Sequence, residues 1–197
     1  MITINQYPLE LKFPKDTQLT DEEFFLFCQE NKDLKLERTK DGNIVVMTPT
    51  GSETGNRNTE IITDLNNWNR QTNYGRVFDS SSGFTLPDGS VLSPDASIIA
   101  HHRWDKLTKE ERKKFAPICP EFVVELRSDT DQVSVLQTKM QNWLDNGVKL
   151  GWLIDPANEQ VLIYQPDAEV KLVEGFDKTL VGEPVLSGFR FALKLLQ

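Results

Sequence analysis

Hydrophobic positions change period several times along the chain, and each change predicts an element. Thr20-Asp21-Glu22-Glu23 has the capping-box pattern, with Glu23 three residues after Thr20, and opens a helix through Phe24, Phe25 and Phe27 that ends near Asn31. Residues 34–38 and 43–48 alternate or run apolar around Lys40-Asp41-Gly42, which predicts a β-hairpin over an Asp-Gly turn. From about residue 56 to 72 the period turns helical, because Ile61, Ile62, Leu65 and Trp68 recur on one face with polar residues outside.

Short β-type runs follow at 75–79, 84–86, 91–92 and 96–100, with Pro87-Asp88-Gly89 as a turn between two of them. Residues 103–114 are polar and helical in pattern. Residues 121–127 hold the buried-strand run Phe122-Val123-Val124, and 132–146 are amphipathic and stop at Gly147 as a C-cap would. The last third predicts strands at 150–154, 160–164 and 170–173, with a closing strand near Phe191. An N-terminal arm and helix over 1–33 precede a core over 34–197, read as one domain. The order predicts a mixed α/β fold in which a central mixed β-sheet is flanked by helices.

Composition narrows the chemistry. The chain has 197 residues, 38% hydrophobic and 26% charged, enough to bury a core without staples. No apolar run approaches a membrane span, and the start lacks a basic-then-apolar signal, so the expectation is a cytoplasmic protein away from membranes. Cys28 and Cys119 lie far apart and read as reduced. His101 and His102 are the only histidines, which excludes H-E-x-x-H and three-histidine metal sites within one chain. There is no G-x-S-x-G elbow and no glycine-rich phosphate loop. Carboxylates and amines must carry any catalysis.

Three residues are placed unusually for that purpose. Asp95 follows Ser93-Pro94 and enters the apolar Ile98-Ile99 run, and Glu125 follows Phe122-Val123-Val124. A carboxylate on a central strand is costly unless a cation, metal or strong donor sits beside it. Each also has a plain reading, Asp95 as a turn acceptor and Glu125 as the exposed position of an alternating strand. Lys139 falls inside the apolar arc of its helix, with Leu136, Met140 and Trp143 around it. Its stem either snorkels over that surface to water, or its ammonium points at Asp95 and Glu125. Two carboxylates and an ammonium at a sheet edge suit Mg²⁺-assisted phosphodiester hydrolysis.

Pro94-Asp95, Glu125-Leu126-Arg127-Ser128, Lys139 and Gly147-Val148-Lys149-Leu150-Gly151-Trp152-Leu153-Ile154-Asp155 occur in that order. Together with residues 36–58 and 78–97, they make the chain resemble the PD-(D/E)XK nuclease superfamily over roughly 35–195. Within it, the chain is similar to the proposed restriction endonucleases of the Uma two family, abundant in cyanobacteria. The resemblance implies a restriction-endonuclease-like core and DNA as substrate. It implies Asp95 and Glu125 as Mg²⁺ ligands, with Mn²⁺ able to substitute, and the Leu126 carbonyl as a third ligand. Where the superfamily places lysine two residues after the glutamate, this chain has Arg127, a poor proton acceptor. Lys139, fourteen residues after Glu125, matches a lysine of the following helix, so the functional amine is inferred to have moved there to orient or activate the attacking water. Arg127 would hold phosphate or pair with an acid.

Asn58 matches a position where relatives carry histidine, and would orient water or phosphate or else cap a backbone group at the core rim. Glu53 and Glu60 read as a solvated face, Asp131 as an N-cap and Ser128 as fixing a turn. The net charge of −8 argues against broad affinity for DNA, although residues 101–114 hold six Lys/Arg against three Asp/Glu and would suit a groove. A homodimer would suit cutting both strands. The alternative is a nuclease-fold protein with weak or lost chemistry that binds DNA or a protein partner.

Overall fold

Residues 8–14 and 17–197 are described by the computed structural model. In chain order the elements begin with β1 (Leu9–Leu11), α1 (Asp21–Glu30), β2 (Lys35–Arg38), β3 (Ile44–Met47), α2 (Ser52–Thr72) and β4 (Gly75–Asp79). They continue with β5 (Phe84–Thr85), β6 (Val91–Leu92), β7 (Ala96–Ala100), α3 (His101–Trp104), β8 (Phe122–Leu126) and α4 (Val133–Asp145). The chain ends through β9 (Leu150–Asp155), β10 (Gln160–Tyr164), β11 (Lys171–Glu174), β12 (Thr179–Val181) and β13 (Arg190–Ala192).

A six-stranded sheet in the order β11-β10-β9-β8-β7-β4 forms the centre. Its one parallel pair is β8 with β9, joined by α4 as the crossover, and the other neighbours are antiparallel. A five-stranded sheet, β1-β3-β2-β6-β5, holds the predicted hairpin, and β12 pairs with β13. This is the mixed sheet flanked by helices that the sequence predicts.

Alternation along β8 decides which side chains meet which helix. Phe122, Val124 and Leu126 pack on the face covered by Ile61 and Leu65 of α2, with Trp152 and Phe189. Val123 faces the other way, toward Leu136, Met140 and Trp143 of α4. Each such buried side chain contributes about 1.5–3 kcal/mol. Gly151 of β9 lets α4 approach closely, because a Cβ there would collide with the end of Met140.

Some boundaries differ from the sequence pattern for identifiable reasons. The capping box forms, with Thr20 and Glu23 exchanging hydrogen bonds. Helix α2 starts at Ser52 rather than near 56, since its first turn is exposed and carries no apolar residue to set a period. Residues 103–114 do not form one helix. They lack an apolar stripe, and only the single turn of α3 and a 3₁₀ turn at Glu111–Lys113 appear. Three of that segment's cations are engaged internally: Arg103 with Glu121, Arg112 with Asp105 and Lys114 with Glu22. The segment also leaves β7 at the end opposite Asp95, so its start does not line the carboxylates. Both cysteines are free, and no helix among the described residues is long and apolar enough to cross a membrane.

Candidate active site

Asp95 immediately precedes β7, where its N–H donates to the Val124 carbonyl at 3.0 Å. Its side chain extends the same ladder, as Oδ2 accepts the Leu126 N–H at 2.8 Å. Glu125, one residue earlier on β8, takes the alternate direction and is buried toward α4 at 2% exposure. Two residues of α4 four apart reach it. Trp143 Nε1 donates to Glu125 Oε1 at 2.8 Å, and Lys139 Nζ lies 3.0 Å from Oε1 and 3.2 Å from Oε2. Lys139 also donates to Glu37 Oε1 at 2.8 Å and to the Ser93 carbonyl at 3.0 Å. The ammonium therefore has three acceptors for its three hydrogens, and its side chain is only 11% exposed.

Burial and mutual repulsion set the charge states. Glu125 is pushed up to about 7, first by burial, then by Asp95 and Glu37, with Lys139 and the Trp143 N–H pulling the other way. Burial likewise raises Asp95, against the attraction of Lys35, the Leu126 N–H and Lys139. For Lys139, burial works to lower the pKa, but Glu125 and Glu37 overcome it, so the group sits above the ordinary lysine range. It is a fixed cation rather than a proton acceptor. Lys139 thus pairs with Glu37 and Glu125, whereas Asp95, which the sequence also offers as its partner, makes no ion pair with it and is held by the Leu126 N–H.

The profile of the Uma2 family, described as "Putative restriction endonuclease", matches residues 21–194. The chain belongs to the Uma2 family. Its fold is similar to that in the crystal structure, at 1.96 Å resolution, of "a putative nuclease belonging to DUF820 from Anabaena variabilis ATCC 29413". That likeness has a TM-score of 0.71 at 22% identity and covers 90% of this chain and 97% of the other. No curated protein matches the chain.

In the Uma2 chain none of the remaining candidates hydrogen-bonds to this cluster among the described residues. Arg127 Nη1 binds both oxygens of Asp155, at 2.9 and 3.1 Å, and Nε donates to the Asp131 carbonyl at 3.3 Å. The arginine thereby ties the end of β8 to the end of β9. Burial would raise the Asp155 carboxyl, but Asn158 and Arg127 hold it below its ordinary value. Asn58 lies on α2, across the sheet from α4, and no hydrogen bond among the described residues joins it to Glu125 or Lys139. Its Oδ1 is buried without a partner among those residues. Glu53 is exposed and pairs with Arg57. Asp131 is not the N-cap of α4, a position held by Gln132. It instead accepts the Ser128 N–H at 2.8 Å and hydroxyl at 2.6 Å, closing the turn after β8.

Glu37 and the Ser93 carbonyl are the members that sequence reasoning missed. Glu37 sits in a short hairpin strand with nothing local to mark it, and its partner Lys139 is 102 residues away.

Among the described residues, no three His, Cys, Asp or Glu side chains are grouped so as to hold a metal alone. A hard divalent cation nevertheless fits the donors present. In an extended strand the N–H and C=O of one residue leave by the same edge, so the Leu126 carbonyl points off the edge where Asp95 meets its N–H. Asp95, Glu125 and that carbonyl are all oxygen donors, the kind Mg²⁺ prefers alongside retained waters. The excess of carboxylates over ammonium favours such a charge.

Proposed function

We propose that this Uma2 protein is a divalent-metal-dependent endonuclease that hydrolyses DNA phosphodiester bonds. The observation that carries the reading is the pairing of Lys139 with buried Glu125 beside Asp95, where carboxylates outnumber the cation and hold raised pKa values. Asp95, Glu125 and the Leu126 carbonyl would hold Mg²⁺, with Mn²⁺ as a substitute. When bound, the ion supplies acidified water and positive charge against the phosphate.

The chain's own groups do the positioning. Asp95 is fixed by the Leu126 N–H, and Glu125 by the Trp143 indole. Lys139 remains an ammonium, so it orients water or offsets charge developing on phosphate oxygens, and it does not remove a proton. Arg127, paired with Asp155, braces the strand ends beside the site. A homodimer would set two such sites on opposite strands of a duplex.

The test is cleavage of supercoiled plasmid and single-stranded DNA with Mg²⁺, Mn²⁺ or EDTA, run beside Asp95→Asn, whose amide oxygen can still accept the Leu126 N–H. Metal-dependent nicking that Asp95→Asn abolishes is expected. Wild-type protein that binds DNA but cuts under no metal would replace this reading with the binding role.

A further inference from the structure

Glu37 reaches the site from β2 of the smaller sheet, and the chemistry above does not use it. Its side chain is 5% exposed, and Oε1 receives two donors, Lys139 Nζ at 2.8 Å and the Ser93 N–H at 2.9 Å. The ammonium is therefore shared, slightly closer to Glu37 than to either oxygen of Glu125. We propose that Glu37 is a positioning residue that keeps Lys139 paired while Glu125 turns its oxygens to a divalent cation. The proposal rests on reading Asp95 and Glu125 as cation ligands.

The reasoning is a competition for one carboxylate. A cation arriving at Glu125 meets an ammonium already seated there, which blocks its oxygens and repels a second positive charge. With Glu125 as its sole anion, Lys139 could release it only by becoming an unpaired buried charge, which is costly. Among the described residues, the carboxylates in ion-pair reach of Lys139 are Glu125 and Glu37, so Glu37 supplies the alternative partner. The neutral Ser93 carbonyl takes a third hydrogen but cannot replace an anion. The Ser93 N–H, bound to the same Glu37 oxygen, anchors that anion to the Ser93-Pro94-Asp95 segment. One carboxylate thus steadies both the lysine and the approach to Asp95.

The experiment is a double-mutant cycle read by calorimetric titration of Mn²⁺ into metal-free full-length protein: wild type, Glu37→Gln, Lys139→Met and the double variant. Glutamine keeps an oxygen for the Ser93 N–H and removes only the charge. The loss of Mn²⁺ affinity caused by Glu37→Gln is expected to be at least tenfold larger with Lys139 present than in the Lys139→Met background, and Glu37→Asp should restore most of the affinity. Equal losses in both backgrounds would show that Glu37 acts only through its field, and overturn the proposal. So would an unchanged affinity in Glu37→Gln. If Glu37→Gln does not fold, Glu37→Ser, which also removes the charge, carries the same comparison in the two backgrounds. Mn²⁺ binding that Asp95→Asn abolishes but Glu37 does not influence would sink this inference alone. Binding indifferent to Asp95→Asn would sink the cation-site reading beneath it as well.

Discussion

Replacing Lys139 by methionine removes the one cation between Glu37 and Glu125 while keeping an unbranched stem in the apolar arc of α4. At 2.8 and 3.0 Å the two attractions are each about 6 kcal/mol at an effective dielectric near 20. Desolvation of the charges offsets most of that sum, and breaking a buried pair on one side costs about 3–5 kcal/mol. Protonation limits the damage. Glu125 already stands near 7 with Lys139 beside it, and the lysine was holding it down, so in the variant it rises further. A carboxyl whose folded pKa lies above its unfolded value near 4.5 binds its proton more tightly in the folded state. The stability associated with that proton is present at low pH and is lost as pH rises through the folded pKa. Metal-free Lys139→Met should therefore be about 3–4 kcal/mol less stable than wild type at pH 8, with a clearly smaller deficit at pH 5. Urea unfolding in EDTA at both values measures it. A deficit below about 0.5 kcal/mol at pH 8, or one that grows on acidification, would refute the buried pair.

Trp143→Phe keeps an aromatic ring in the core but deletes the indole donor to Glu125, and should cost about 2 kcal/mol in urea unfolding. Equal stability would mean the indole bond is not made. Arg127→Met should cost about 2 kcal/mol at pH 7 and leave Mn²⁺ affinity within about twofold of wild type, since the guanidinium serves Asp155 rather than Glu125. Because Asp155 is held below its ordinary 3.8, its stabilisation is present above that value and fades as pH falls through the folded pKa. The gap between wild type and Arg127→Met should accordingly narrow in acid, and a constant gap would contradict the pairing.

What could be read from the sequence follows from where the information is local. Lys139 was legible because a charged residue inside an apolar helical arc breaks a period, and Glu125 because it closes a Phe-Val-Val strand. The hairpin was legible from its Asp-Gly turn. As a single helix, residues 103–114 misled, since charge spacing alone resembles a helix face, while in the fold Arg103, Arg112 and Lys114 are drawn to separate acids. Asp131 misled because its position before α4 suits a cap, whereas the tight turn after β8 brings the Ser128 N–H and hydroxyl to its carboxylate first. Glu37 left no trace, since its burial depends on packing between two sheets that no local pattern encodes.

The most direct test of the central claim is anomalous diffraction from crystals of the metal-free protein soaked in Mn²⁺. The account predicts a peak bound by Asp95, Glu125 and the Leu126 carbonyl, lost in Asp95→Asn crystals. A saturating soak with no peak there, or with manganese held only elsewhere, would contradict it.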